Sequence, residues 1–240
     1  MTLPDVTSRE EWLAARRRLL AQEKELTRAR DALNAERRRL PMVRVTQEYV
    51  FEGAEGPVTL AELFGGRRQL VVQHVMFGPD WEQPCPGCSA SLRELSQGVL
   101  DHLATRETAF ALTARAPYEK IAILAKEHGW DFPWYSSYGT NFNYDYHVTL
   151  DADRGLLQYN YRDEPDWVGG DRSTELPGVS CFLREGDEIF HTYSTFARGT
   201  DAMVGAYTFL DMTALGRQED WEEPKGRAPR VHGADPTFTD

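Results

Sequence analysis

Apolar residues recur every seven positions at the start of the chain: Trp12, Leu19, Leu26, Leu33 and Leu40. The spacing predicts one long helix over 8–39. Thr7 and Ser8 are its candidate N-caps, Glu10 and Glu11 stand at capping-box distance, and Pro41 stops it. The other seam positions are mostly Ala, Gln, Glu or Arg, so the stripe is too thin for a self-sufficient coiled coil. It meets either its own domain or a second subunit. Such a helix would be about 48 Å long, more than a small domain is wide, so we expect a homodimer joined through it.

From Met42 the period shortens. Val43–Val45 and Glu48–Phe51 alternate as strands do, Gly53–Pro57 reads as a turn, and Thr59–Phe64 as a short helix. Gln69–Phe77 (QLVVQHVMF) is almost unbroken in apolar character, as expected of a strand buried on both faces of a parallel sheet. Ser89–Thr105 is expected as a helix, Ala109–Thr113 as a strand and Tyr118–His128 as a helix. Further strands are expected at Leu156–Tyr161, Val179–Arg184 and Glu188–Ser194. The last two form a hairpin about Glu185-Gly186-Asp187, and a helix follows around Ala202–Leu210. This order, βαβ and then ββα, implies a sheet with a parallel centre. The divisions expected are a helical arm at 1–41, a domain at 42–217 and an irregular tail at 218–240.

Charge sharpens the division. The 240 residues hold 27 Lys and Arg against 38 Asp and Glu, for a net charge of −11. Residues 1–40 contribute +3 and the remainder −14. An acidic body argues against a nucleic-acid partner. No apolar run approaches the roughly 20 residues that span a bilayer, and no secretory signal is visible. Hydrophobic residues make up 41%, enough for a folded core. A cytoplasmic protein is expected.

Three cysteines cannot build a disulfide framework, but two of them form Cys85-Pro86-Gly87-Cys88 between the buried strand and the next helix. At a helix N-terminus, unpaired N–H groups and the helix dipole stabilise a thiolate. The first cysteine of such a pair is the expected nucleophile, facing solvent, and the second, covered by the first turn, resolves the mixed disulfide. His74 and His191 are candidates for proton transfer or for structural hydrogen bonding. Asp80 and Trp81 could serve as proton carrier and substrate platform, or simply shape the loop. Zinc is a disfavoured alternative in which Cys85 and Cys88 have ligand spacing and His74, His191 or Cys181 would complete the set. No other cofactor is indicated. Cys181 alone reads as a buried, inert thiol. Between Trp130 and Tyr146 lie eight aromatic residues, which either pack the core or line a ligand pocket beside the cysteines.

The order strand, CxxC, helix, βα unit, Pro177, hairpin and helix resembles the thioredoxin fold. Several stretches are more closely similar to an uncharacterised family of thioredoxin-like bacterial proteins. They are HVMFGPDWEQPCPGCS (74–89), GWDFPWYSSYGTNFNYDY (129–146), YNYR (159–162), PGVSCFLREGDEIFHTYSTFARG (177–199) and YTFLDMTALGR (207–217). The resemblance implies a thioredoxin-like α/β fold and dithiol–disulfide oxidoreductase activity on a protein or small-molecule disulfide. It also implies a cis Leu176–Pro177 peptide facing the thiol loop. A peroxiredoxin is disfavoured, because Glu82 stands where its Thr or Ser would be and Gly78 where its proline would be. Two alternatives to the enzyme are a ligand- or partner-binding protein on the same fold and a zinc-stabilised structural protein.

Overall fold

The computed structural model describes residues 3–163 and 173–227. Helix α1 (Arg9–Arg37) opens the chain. Ser8 caps it, and Glu11 closes the reciprocal capping box back to Ser8. Strands β1 (Val43–Arg44), β2 (Val50–Gly53) and β3 (Gly56–Thr59) lead into α2 (Leu60–Leu63). Then come β4 (Gln69–His74), α3 (Pro86–Glu94), α4 (Gln97–Ala104), β5 (Thr108–Ala114), α5 (Tyr118–His128), β6 (Trp134–Ser136), α6 (Phe142–Asp145), β7 (Thr149–Asp151) and β8 (Ser173–Glu175). Strands β9 (Gly178–Glu185) and β10 (Glu188–Phe196), a 3-10 helix at Ala197–Met203 and α7 (Gly205–Leu210) follow.

Eight strands form one sheet in the order β1-β10-β9-β4-β5-β6-β2-β3, and β7 pairs with β8 apart from it. Strand β4 runs parallel to β5, and β5 parallel to β6, while β9 lies antiparallel on the other side of β4. A CxxC helix following a central strand, with an antiparallel hairpin beyond it, is the thioredoxin-like arrangement expected from the sequence. Along β5, Ala109 and Ala111 belong to one core, and Leu112 and Ala114 to the other. The two-residue period of a strand thus supplies both faces of the sheet. One core holds Cys85, Cys88, Leu92, Ile121 and Leu124 from α3 and α5; the other holds Phe51, Leu60, Phe64, Phe142, Tyr146 and Phe182.

Three expectations are corrected. The helix expected over 89–105 is two helices, because Leu95 turns extended and the Ser96 side chain accepts from the Val99 N–H to cap a second one. Residues 156–161 form only isolated bridges, Asp151 with Leu156 and Tyr159 with Arg162, with Asn160 and Tyr161 at positive φ. Gly56–Thr59, partly read as a turn, is a strand paired with β2. No helix among the described residues is long and apolar enough to cross a membrane.

Candidate functional site

Cys85 is the N-cap residue of α3 and Cys88 lies in its first turn, with Pro86 at a position that needs no N–H. The loop is stitched to the end of β4: the Cys85 N–H donates to the Met76 carbonyl at 2.9 Å, and the Met76 N–H donates to Cys88 Sγ at 3.4 Å. The expectation of a solvent-facing Cys85 is corrected here. Cys85 does stand just ahead of α3, but it packs into the core with Cys88, and each is only 7% exposed.

Both cysteines line one cavity of about 100 Å³. Gln73 and His74 at the end of β4, together with Pro177 and Gly178, form its inner side. Arg198, Asp201, Met203, Tyr207, Glu219 and Trp221 contribute much of the rest of the wall. Pro177 therefore does lie beside the thiols, but its peptide with Leu176 is trans, against expectation. Local pairing holds the segment in place: the Leu176 N–H donates to the Val148 carbonyl at 2.8 Å, and the Pro177 carbonyl accepts from Tyr159 Oη at 2.9 Å. Just upstream, Glu175 is buried. It meets Arg115 at 2.8 Å and accepts from Thr149 at 2.7 Å, and burial raises its carboxyl despite the guanidinium.

His74 is buried between Ser180 Oγ, 2.9 Å from its Nε2, and Thr113 Oγ1, 3.2 Å from its Nδ1. Burial, reinforced by nearby His191, pushes the imidazole down to about 3, so it is neutral near pH 7. The hydrogen-bonded chain continues from Ser180 to Ser194 (3.0 Å) and from Ser194 to His191 Nε2 (2.8 Å). His191 is half-buried at the far end of this chain, its imidazole also lowered by burial, and it is not part of the cavity wall. Asp80 is exposed on the loop, and Trp81 packs against the core beside Gly78. The Lys120 ammonium ties that loop down through the Pro79 and Trp81 carbonyls. Neither Asp80 nor Trp81 lines the cavity.

The aromatic segment packs the core: Phe142 meets Phe51 edge-on at 4.8 Å, and Tyr146 meets Phe182 at 5.2 Å. It is not the wall opposite the cysteines. The part that sequence reasoning missed is the C-terminal segment from Ala197 to Trp221, hereafter the cap. Arg217 forms a two-pronged pair with Asp211 (2.7 and 2.8 Å), reaches Asp201 at 2.7 Å, and stacks over Tyr207 at 4.2 Å. Its hydrogen bonds hold the Asp211 carboxyl below the usual range. Arg198 stacks over Trp221 at 3.6 Å. The division expected at 217/218 therefore crosses the cavity wall, since Glu219 and Trp221 belong to it. The last part of the expected tail, 228–240, lies outside the described residues. The stretches FARG and YTFLDMTALGR, among those similar to the thioredoxin-like family, held the available signal for the cap.

Cys181 lies in β9 outside the cavity wall, and burial pushes its thiol up to about 11. Among the described residues, no group of three or more His, Cys, Asp or Glu side chains is placed to hold a metal ion.

Comparison with solved structures finds a peroxiredoxin Q from Xanthomonas campestris, 15% identical over 67% of this chain and 90% of that one, with a TM-score of 0.40. A mutant peroxiredoxin Q from Xylella fastidiosa is 10% identical over 71% and 94%, with a TM-score of 0.43. A putative protein disulfide isomerase from Bacteroides thetaiotaomicron is 18% identical over 70% and 91%, with a TM-score of 0.37. No curated protein matches the chain. The family described as "Bacterial protein of unknown function (DUF899)" matches residues 1–233, and the chain belongs to that family.

Proposed function

We propose that the protein is a thiol–disulfide oxidoreductase whose working pair is Cys85 and Cys88, acting in a reducing, cytoplasmic setting. One observation carries the reading: both thiols sit at the N-terminal end of α3 and face the same cavity beside Pro177. The first-turn N–H groups and dipole of α3 lower the cost of forming a thiolate at this end of the helix, against the opposing cost of burial. Cys85 thiolate attacks one sulfur of a substrate disulfide, whose S–S bond breaks and releases a first thiolate. Cys88 then attacks Cys85 Sγ, closes the 85–88 disulfide and releases the second thiolate. The substrate gains two electrons and the protein loses two. A dithiol reductant reverses the change in the protein.

The test is direct. Mild oxidation of the reduced protein with diamide should close an 85–88 disulfide visible by peptide mass spectrometry, and Cys88→Ser should trap a mixed disulfide at Cys85. Failure of the pair to close overturns the reading. A second reading draws on the burial of both thiols: a ligand-binding protein whose cavity uses them only as wall. It predicts that a double Cys85→Ser, Cys88→Ser variant keeps whatever the cavity holds.

A further inference from the structure

The dithiol is reached only through a restricted space. Each thiol is nearly covered, and the cavity they line is small and is walled in large part by the cap. The cap is anchored on the same helix that carries the cysteines. Glu94, at the last turn of α3, accepts from the Ala206 N–H at 3.0 Å. Below the cap, Ala197 N–H donates to Tyr159 Oη at 3.0 Å, and that hydroxyl in turn donates to the Pro177 carbonyl, so floor and cap share one tyrosine.

A protein disulfide needs more than a reachable sulfur. It brings a chain with it, and strand addition along the backbone next to Pro177, the segment beside the thiols, would need free main-chain groups there. Those groups are already engaged. The Leu176 N–H is bonded to Val148, the Pro177 carbonyl to Tyr159, and Gly178 is in register with both His74 and Phe196. Leu176 itself is 3% exposed. Gly178 is packed on the core behind it: a Cβ there would come within 2.7 Å of Val148.

Resting on the oxidoreductase reading, we propose that the substrate is a low-molecular-weight disulfide admitted under the cap, and that protein disulfides are excluded. The wall also indicates its character. Met76, Met203, Val204, Tyr207 and Trp221 make it largely apolar, and Arg198 is tied to Asp201 at 3.5 Å. Glu219 leaves the wall with one more negative than positive charge. A neutral or cationic disulfide suits this wall better than an anionic one. Reaction of one such molecule oxidises the pair by two electrons and releases two thiols; the reductant that restores the pair is a small dithiol.

The experiment is a single turnover of the fully reduced, full-length protein. It is mixed separately with 2-hydroxyethyl disulfide, cystamine, oxidised glutathione and insulin, and closure of the 85–88 disulfide is followed by quenched mass spectrometry. The expected order places 2-hydroxyethyl disulfide and cystamine at least about tenfold faster than oxidised glutathione, and about a hundredfold faster than insulin. In Glu94→Ala, the insulin reaction should rise several-fold while the small disulfides change less than about twofold. Insulin reacting as fast as 2-hydroxyethyl disulfide overturns the substrate class but leaves the oxidoreductase reading standing. An insulin rate unmoved in Glu94→Ala overturns the cap as gate. Closure by diamide but by none of the four disulfides overturns the inference; no closure by any oxidant overturns the reading beneath it.

Discussion

The helix α1 and the cap both lie outside the sheet and the helices that sandwich it, and they meet solvent in opposite ways. Helix α1 is 29 residues of regular structure with no buried residue; Trp12, Leu19, Leu26 and Leu33 are each at least half exposed. The cap is turns, a 3-10 helix of seven residues and one α-helix of six, yet it contributes to the wall of the cavity lined by Cys85 and Cys88. What stabilises α1 is local: a capping box at Ser8 and Glu11, an Arg16–Glu23 pair at 2.8 Å, and backbone bonds along its axis. What holds the cap together is contact between its own separate turns: guanidinium groups stacked on rings and paired with carboxylates six or more residues away. Regularity and integration are independent properties. A helix can be complete in itself and wait for a partner, while irregular chain can be fixed wherever its charged groups find both a ring and a counter-ion.

The largest effect is expected at Arg217. Its side chain is nearly covered and satisfies two aspartates, so Arg217→Ala takes the guanidinium from Asp211, leaves Asp201 with Arg198 at 3.5 Å, and uncovers Tyr207. A loss of about 1–3 kcal/mol in urea unfolding is expected. Iodoacetamide labelling of Cys85 and Cys88 should quicken by about tenfold or more, since labelling follows local opening of the cap. Unchanged labelling would show that the cap does not control access.

A smaller effect is expected at His74. Its folded value lies far below that of an ordinary histidine, so between about pH 6.5 and 3 the unfolded chain binds a proton that the folded one does not. Stability is therefore complete above this window and falls as pH drops through it, by up to about 1.4 kcal/mol per pH unit from this residue. His74→Asn should flatten that acid limb relative to wild type. Comparing the two chains removes the opposite contribution of Glu175, whose raised carboxyl costs stability as pH climbs. His191, linked through Ser180 and Ser194, shares the direction of His74 and stays in both proteins.

The smallest effect on folding is expected in α1. A triple Leu19→Glu, Leu26→Glu, Leu33→Glu variant should leave unfolding of the body within about 0.5 kcal/mol, because none of the three is buried there. It should nonetheless turn the homodimer we propose into a monomer by light scattering. A net-basic arm against an acidic body gives a second copy a surface of opposite charge to approach.

The sequence was readable where one residue type repeats along one element. The QLVVQHVMF run marked β4, the seven-residue period marked α1, and CPGC before an expected helix placed both thiols at an N-terminus. It was not readable where position depends on distant groups. Strand β6 is three residues long and is recognisable only beside β5. The trans Pro177 peptide and the burial of Cys85 depend on Tyr159, Val148 and the cap, which lie far from them along the chain. Asp80 and Trp81 are sequence neighbours of the thiols but not cavity neighbours, because the turn at Gly78 leaves Asp80 in solvent and Trp81 packed on the core beside Gly78.

The cap adds no strand to the main sheet: among the described residues its hydrogen bonds to the body include single ones from the Ala197 N–H to Tyr159 Oη and from the Ala206 N–H to Glu94. Such contacts yield one at a time under tension, whereas β10, registered along its length with β9, must shear as a unit. A pull applied at the C-terminal end would therefore peel the cap from the cavity at low force while the sheet stayed whole. Between those two forces the molecule would be a folded protein with its dithiol uncovered, so that mechanical load alone could set the reactivity of Cys85 and Cys88.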